Sequence, residues 1–142
     1  MVRSVLAVLG SLLVVMAAVF GATILAAAVM IGSPPPAGSP PALPPAFLPV
    51  NLAYSAAFAL LGGWLCGFWA GKKPLLHAAA LAGVMLALSL PSVFRPEPGL
   101  PSWYGAVVAV LGPACALVGG WLRERTLERR AAAGAPQAPP PA

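Results

Sequence analysis

The sequence predicts an all-α bundle of four transmembrane helices forming one membrane domain, and three observations carry that reading. Hydrophobic residues make up 60% of the 142 and charged residues only 8%, against about 25% charged in a soluble globular domain. Eight basic and three acidic side chains cannot cover the surface of a water-soluble fold of this size, and the apolar excess excludes a disordered chain. The charges are clustered, leaving charge-free stretches at 4–71, 74–94 and 98–122. Each can supply the roughly 20 apolar residues that cross a ~30 Å hydrocarbon core.

The first span is expected at 4–31. At about 42 Å it exceeds the membrane thickness and must tilt or protrude. A signal peptide is the competing reading, with Arg3 as its charged start and Ala26, Ala27 and Ala28 as its cleavage site. The 28 uncharged residues of 4–31 far exceed an apolar signal core of about 7–15, so the segment reads as a span. Residues 32–49 hold eight prolines and cannot be helical, because proline lacks the N–H donor and clashes with the preceding turn. Lipid tolerates no exposed irregular backbone, so this segment is expected as a polyproline-like outer loop.

The second span is expected at 50–70 and the third at 75–94, continuing past a kink at Pro91. The fourth is expected at 103–122, with RERTLERR carrying its helix two turns further and Arg125 and Glu128 at i, i+3 spacing. The membrane domain then covers 1–130, and residues 131–142, rich in Ala and Pro, form a disordered tail. Orientation follows from the basic residues. With a cytoplasmic N-terminus, Arg3, Lys72, Lys73, Arg123, Arg125, Arg129 and Arg130 lie inside and only Arg95 outside, as the positive-inside rule requires. Tyr54, Trp103 and Tyr104 then mark the outer interface and Trp69 and Trp121 the inner one, while Trp64 packs between helices.

Helix packing in lipid relies on small residues that let backbones approach. Ser55, Ala59, Gly63, Gly67 and Gly71 form such a face on the second span, and Gly112, Ala116 and Gly120 one on the fourth. Ala79, Gly83 and Ala87 repeat the spacing on the third. Packing within one bundle is the preferred use of these faces, and homo-oligomerisation through the second span the alternative. Ala59–Leu65 (ALLGGWL) is echoed by Ala116–Leu122 (ALVGGWL) at an offset of 57, which suggests two helical hairpins in parallel repeat. Nine residues separate Gly63 from Lys72 but three separate Gly120 from Arg123. That offsets the copies by about 9 Å in depth unless the fourth helix runs on into the cytoplasm. Duplication and coincidence both stay open.

No ionisable group falls in the middle of a span, so proton or cation transfer at the midplane has no carrier. His77 and Ser89 lie about 18 Å apart on one helix, which excludes a serine-hydrolase pair. A single histidine without carboxylates or paired cysteines makes a poor metal site, and no cofactor is expected. Cys66 and Cys115 read as two core thiols on the reducing side rather than a disulfide. Lys72, Lys73 and His77, with Arg123 and Arg125, form a basic inner girdle. Its ordinary role is topological, and contact with anionic lipid is the functional one. The basic surface is too small for nucleic acid.

On GGWL, KKPLLHAAALAG and WYGAVVAVLGPACALVGGWLRER, over 62–90 and 103–125, the chain resembles small four-span bacterial inner-membrane proteins without assigned activity. The resemblance covers about half of the sequence and implies a bacterial inner membrane without implying any chemistry. The expected function is non-catalytic: a scaffold, assembly factor or accessory subunit working with a membrane-protein partner and membrane lipids. A small homo-oligomeric channel or facilitator is the alternative, with Ser11, Thr23, Asn51 and Ser55 available to line a path.

Overall fold

The structure is a computed structural model that describes residues 2–32, 43–95 and 99–134. Four helices follow one another: α1 (Val2–Met30), α2 (Phe47–Ala70), α3 (Pro74–Phe94) and α4 (Ser102–Ala133). Each is long and apolar enough to cross a membrane, and the chain is an all-α, multi-pass membrane bundle. Residues 33–42 of the outer loop expected at 32–49, residues 96–98 with Glu97, and the tail from 135 lie outside the described residues.

The helix ends differ from the expected spans where proline and charge mislead. α2 starts at Phe47 rather than Val50 and takes Pro49 into its first turn, where a missing N–H has no intrahelical partner to lose. α3 opens on Pro74 for the same reason and passes through Pro91 to Phe94. α4 runs to Ala133, three residues into the segment expected as tail. The α2–α3 connection is only Gly71, Lys72 and Lys73. Gly71 takes φ 74° and donates its N–H to the Gly67 carbonyl, and Lys73 takes φ 48°. Gly71, expected on the packing face, therefore lies beyond the helix, exposed, and ends it.

α4 packs broadly on both α3 and α2, α1 packs on α2 and more narrowly on α3, and the backbones of α1 and α4 do not approach one another closely. In lipid the apolar effect gains nothing from bringing helices together, so close packing and weak backbone contacts must supply the attraction. The two GGWL segments supply both. A Cβ at Gly62 would lie 2.1 Å from Val15 of α1, and one at Gly63 would lie 1.9 Å from the Ala116 carbonyl oxygen of α4. A Cβ at Gly119 would lie 2.0 Å from the Leu60 carbonyl oxygen of α2, and one at Gly120 would lie 2.2 Å from Ala78 of α3. Four adjacent glycines thus join four helices at one level. Cys66, Leu81, Ala82 and Ala116 fill the core at this joint.

The joint also settles the depth of the two echoes. Gly119 meets Leu60 and Trp64 while Gly63 meets Ala116, so both glycine pairs share one level, and α4 continues beyond it. Their contacts are not equivalent. The first glycine of α2 meets α1 and its second meets α4, whereas the first of α4 meets α2 and its second meets α3. The third small-residue spacing has a different fate. Gly83 has open space around it, Ala79 and Ala87 are exposed, and α3 buries Ala78, Leu81 and Ala82 instead.

Added methyl groups distinguish these positions. Gly63→Ala and Gly119→Ala are each expected to destabilise the fold by about 1–3 kcal/mol, whereas Gly83→Ala stabilises the helix by up to about 1 kcal/mol. Unfolding in mixed micelles, followed by circular dichroism, measures all three. Equal effects at Gly119 and Gly83 would contradict the packing described.

Candidate functional site

The glycine joint closes the half of the bundle nearest the Gly71–Lys73 turn, here termed the basic end. Toward the opposite end the helices separate. A half-open cavity of about 220 Å³ lies among all four, lined by Leu12, Val15, Leu52, Met85, Leu111 and other mostly apolar side chains. It continues into a second space of about 390 Å³ that shares Val19, Ser55 and Val108 and reaches the α3–α4 connection at Leu100 and Pro101.

The wider space is edged by an uncharged hydrogen-bonded chain. The Thr23 hydroxyl donates to the Val19 carbonyl at 2.8 Å and so accepts from the Tyr54 hydroxyl at 2.7 Å. Tyr54 in turn accepts from the Asn51 amide. The Asn51 carbonyl oxygen accepts from the Tyr104 hydroxyl at 2.6 Å and, at 3.5 Å, from Ser55. This chain ties α1, α2 and α4 through one side chain, Asn51, which is only 8% exposed. Unpaired polar groups are costly at this depth, so Asn51 fixes the two tyrosines inward. Both are half-buried and act as network members beyond the interfacial anchoring expected of them. The spacing of Asn51, Tyr54 and Ser55, at i, i+3 and i+4 on α2, was the available signal. Their partners Thr23 and Tyr104 are distant in sequence.

Of the expected packing residues, Ala59, Gly63 and Gly67 are buried within the bundle, and Ser55 and Gly112 line the cavity. Ala116 and Gly120 are buried on α4. Gly62 and Gly119 belong to the same joint but escape a search for small residues at every fourth position. The doubled GG was the sign that each helix serves two neighbours.

At the basic end the expected girdle separates into parts. Lys72 and Lys73 are exposed, and His77 Nδ1–H donates to the Lys73 carbonyl at 3.0 Å. Arg125 is exposed on α4, its guanidinium 5.0 Å from the Trp121 ring of its own helix. Arg123 is different. It is 9% exposed, with Cζ 5.3 Å from the Trp64 ring centroid and 5.0 Å from that of Phe68. Those two rings stack at 5.8 Å, and a Cβ at Gly67 would lie 3.2 Å from Arg123 Cγ. Because α4 runs past the joint, this arginine enters the packed bundle instead of standing at its end. Aromatic faces offset part of the cost of holding the charge there, while Nε has no hydrogen-bond partner among the described residues.

Both thiols are free, and the buried Cys66 S–H points at the His77 carbonyl at 3.5 Å. Among the described residues no three His, Cys, Asp or Glu side chains cluster as metal ligands. Compared with protein-family models, curated proteins and solved structures, the chain finds no match.

Asn51→Leu, which leaves both tyrosines without their shared partner, is expected to cost about 1–3 kcal/mol. Thr23→Val removes the local bond to Val19 and the terminal interhelical bond from Tyr54, and the interhelical one is expected to cost about 0.6 kcal/mol. Micellar unfolding monitored by tryptophan fluorescence compares the two, and equal losses would show that Asn51 is not the hub.

Proposed function

We propose that the chain is a non-catalytic plasma-membrane component of bacterial type that serves as a scaffold, assembly factor or accessory subunit, with both ends cytoplasmic. The observation that carries the proposal is the spare face of α1. This is the most hydropathic helix, yet only 6% of its most apolar window is buried. Its buried residues are Ala7, Ser11 and Val15, while Leu13, Phe20, Ile24 and Leu25 are each more than 60% exposed. A helix so little used by its own fold is available to a helix of another membrane protein. The basic residues support the orientation.

The polar-mouthed cavity favours the second reading, a channel or facilitator. The glycine joint blocks a path through one copy, so that reading requires a conduit between copies.

A photocrosslinking amino acid at Leu13 or Phe20 is expected to yield one discrete protein adduct in native membranes, and none at the equally exposed Leu88 of α3. A twofold-mass adduct would support the homo-oligomeric reading instead. Lipid adducts alone at all three positions would contradict both. In a Cys66→Ser, Cys115→Ser background, a single cysteine at Leu100 is expected to react with an impermeant maleimide on intact cells, and one at Lys72 is not. The reverse pattern would overturn the orientation.

A further inference from the structure

We propose that the cavity opposite the basic end is a binding site for a neutral amphiphile: an apolar chain or ring carrying one uncharged hydrogen-bonding head, a hydroxyl or carbonyl. The inner part, about 220 Å³, exceeds the ~150 Å³ of an apolar protein cavity that accepts benzene. Its walls, including Leu12, Met16, Leu52, Met85 and Leu111, offer mainly dispersion contacts, with the Ser55 and Ser89 hydroxyls as the polar exceptions. Met85 adds an unbranched, adaptable wall that adjusts to the shape of an occupant.

The mouth selects the head. Asn51, Ser55, Tyr104 and Ser92 edge it, and among the described residues no charged side chain lines either space. A carboxylate, phosphate or ammonium group would therefore shed water without meeting a countercharge, at large cost. A hydroxyl or carbonyl oxygen meets a donor. The Asn51 amide carries two hydrogens, and only one is engaged, by Tyr54. The second has no partner among the described residues, on a side chain nine-tenths buried at the edge of the space. An oxygen placed there satisfies a donor that the fold holds ready and unused.

The arrangement also gives the ligand a single direction. The joint at Gly63 and Gly119 closes the far side of the apolar chamber, so a chain enters tail first and stops with its head at Asn51. Such an occupant fills the space between α1 and α4, whose backbones lie apart. Binding is therefore coupled to how α1, the helix proposed to meet a partner, sits on the bundle.

The test uses the full-length protein in phosphatidylcholine nanodiscs and three probes with the same diazirine-bearing sixteen-carbon chain: an alcohol, a carboxylate and a phosphatidylcholine. After irradiation, adducts are mapped by peptide mass spectrometry. The alcohol is expected to label Met85 or Leu111, and excess unlabelled hexadecanol is expected to suppress this labelling. Asn51→Leu, verified as folded by circular dichroism, is expected to weaken that competition about three- to twentyfold, the equivalent of one hydrogen bond within the membrane. Competition on the unaltered protein decides the matter should the variant fail to fold. Equal cavity labelling by all three probes would overturn the proposal and assign the space to bulk lipid chains. Non-saturable labelling confined to lipid-facing residues such as Leu13 and Ile24 would overturn it too.

Discussion

Everything in this bundle depends on how closely the backbones approach at two glycine pairs. Gly63 lies against the Ala116 carbonyl and Gly119 against the Leu60 carbonyl, at distances where no Cβ fits. Gly62 and Gly120 extend the same closeness to α1 and α3. In water a leucine seam would serve, because burial itself is favourable. In lipid a leucine is equally well solvated outside the bundle, so the attraction comes from contact density and weak Cα–H···O interactions. Two adjacent glycines present bare backbone in two directions about 100° apart on a helix. That is how α2 and α4 each hold two neighbours at one level.

The rest of the architecture follows from that clamp. Helices drawn together at one level separate elsewhere unless something else fills the gap. On the basic side the gap is filled by Arg123, whose stem passes Gly67 and whose guanidinium lies over Trp64 and Phe68. On the opposite side it is spanned by polar side chains, with Asn51 linking α1, α2 and α4 around a space that protein atoms do not fill. One half of the bundle is therefore dense and the other is open and polar-edged. α1, which meets the dense half at Gly62 but buries the smallest share of its length, is the helix held least firmly.

The four spans were legible because crossing hydrocarbon demands long uncharged runs, and the sequence has no other way to place its charges. What stayed illegible depends on tertiary neighbours. Arg123 reads as the end of a span when charge is equated with the membrane boundary; only the ring faces of Trp64 and Phe68, on another helix, make its burial intelligible. The packing face of α2 was half legible. Spacing by fours finds Ala59, Gly63 and Gly67 but misses Gly62, because it assumes one partner per helix, and it wrongly gathers Gly71, which the turn to Lys73 requires for its positive φ. On α3 the same spacing selects a lipid-facing side, since alanine and glycine are too frequent here for spacing alone to discriminate. Asn51 could be noticed but not assigned a role, since its partner Tyr104 is 53 residues away.

The most direct measurement of whether the glycines set the helix spacing is a distance between α2 and α4. Spin labels at the exposed positions Leu61 and Leu117 report it by pulsed electron resonance in bilayers. Gly119→Leu is expected to lengthen the mean distance by about 2–4 Å, since interaxial separation follows side-chain size at the contact. Gly83→Leu on α3 is expected to leave it unchanged. An unaltered distance in the Gly119 variant would contradict the account, because it would mean that the helices are held apart or together by something other than the bare backbone at the joint.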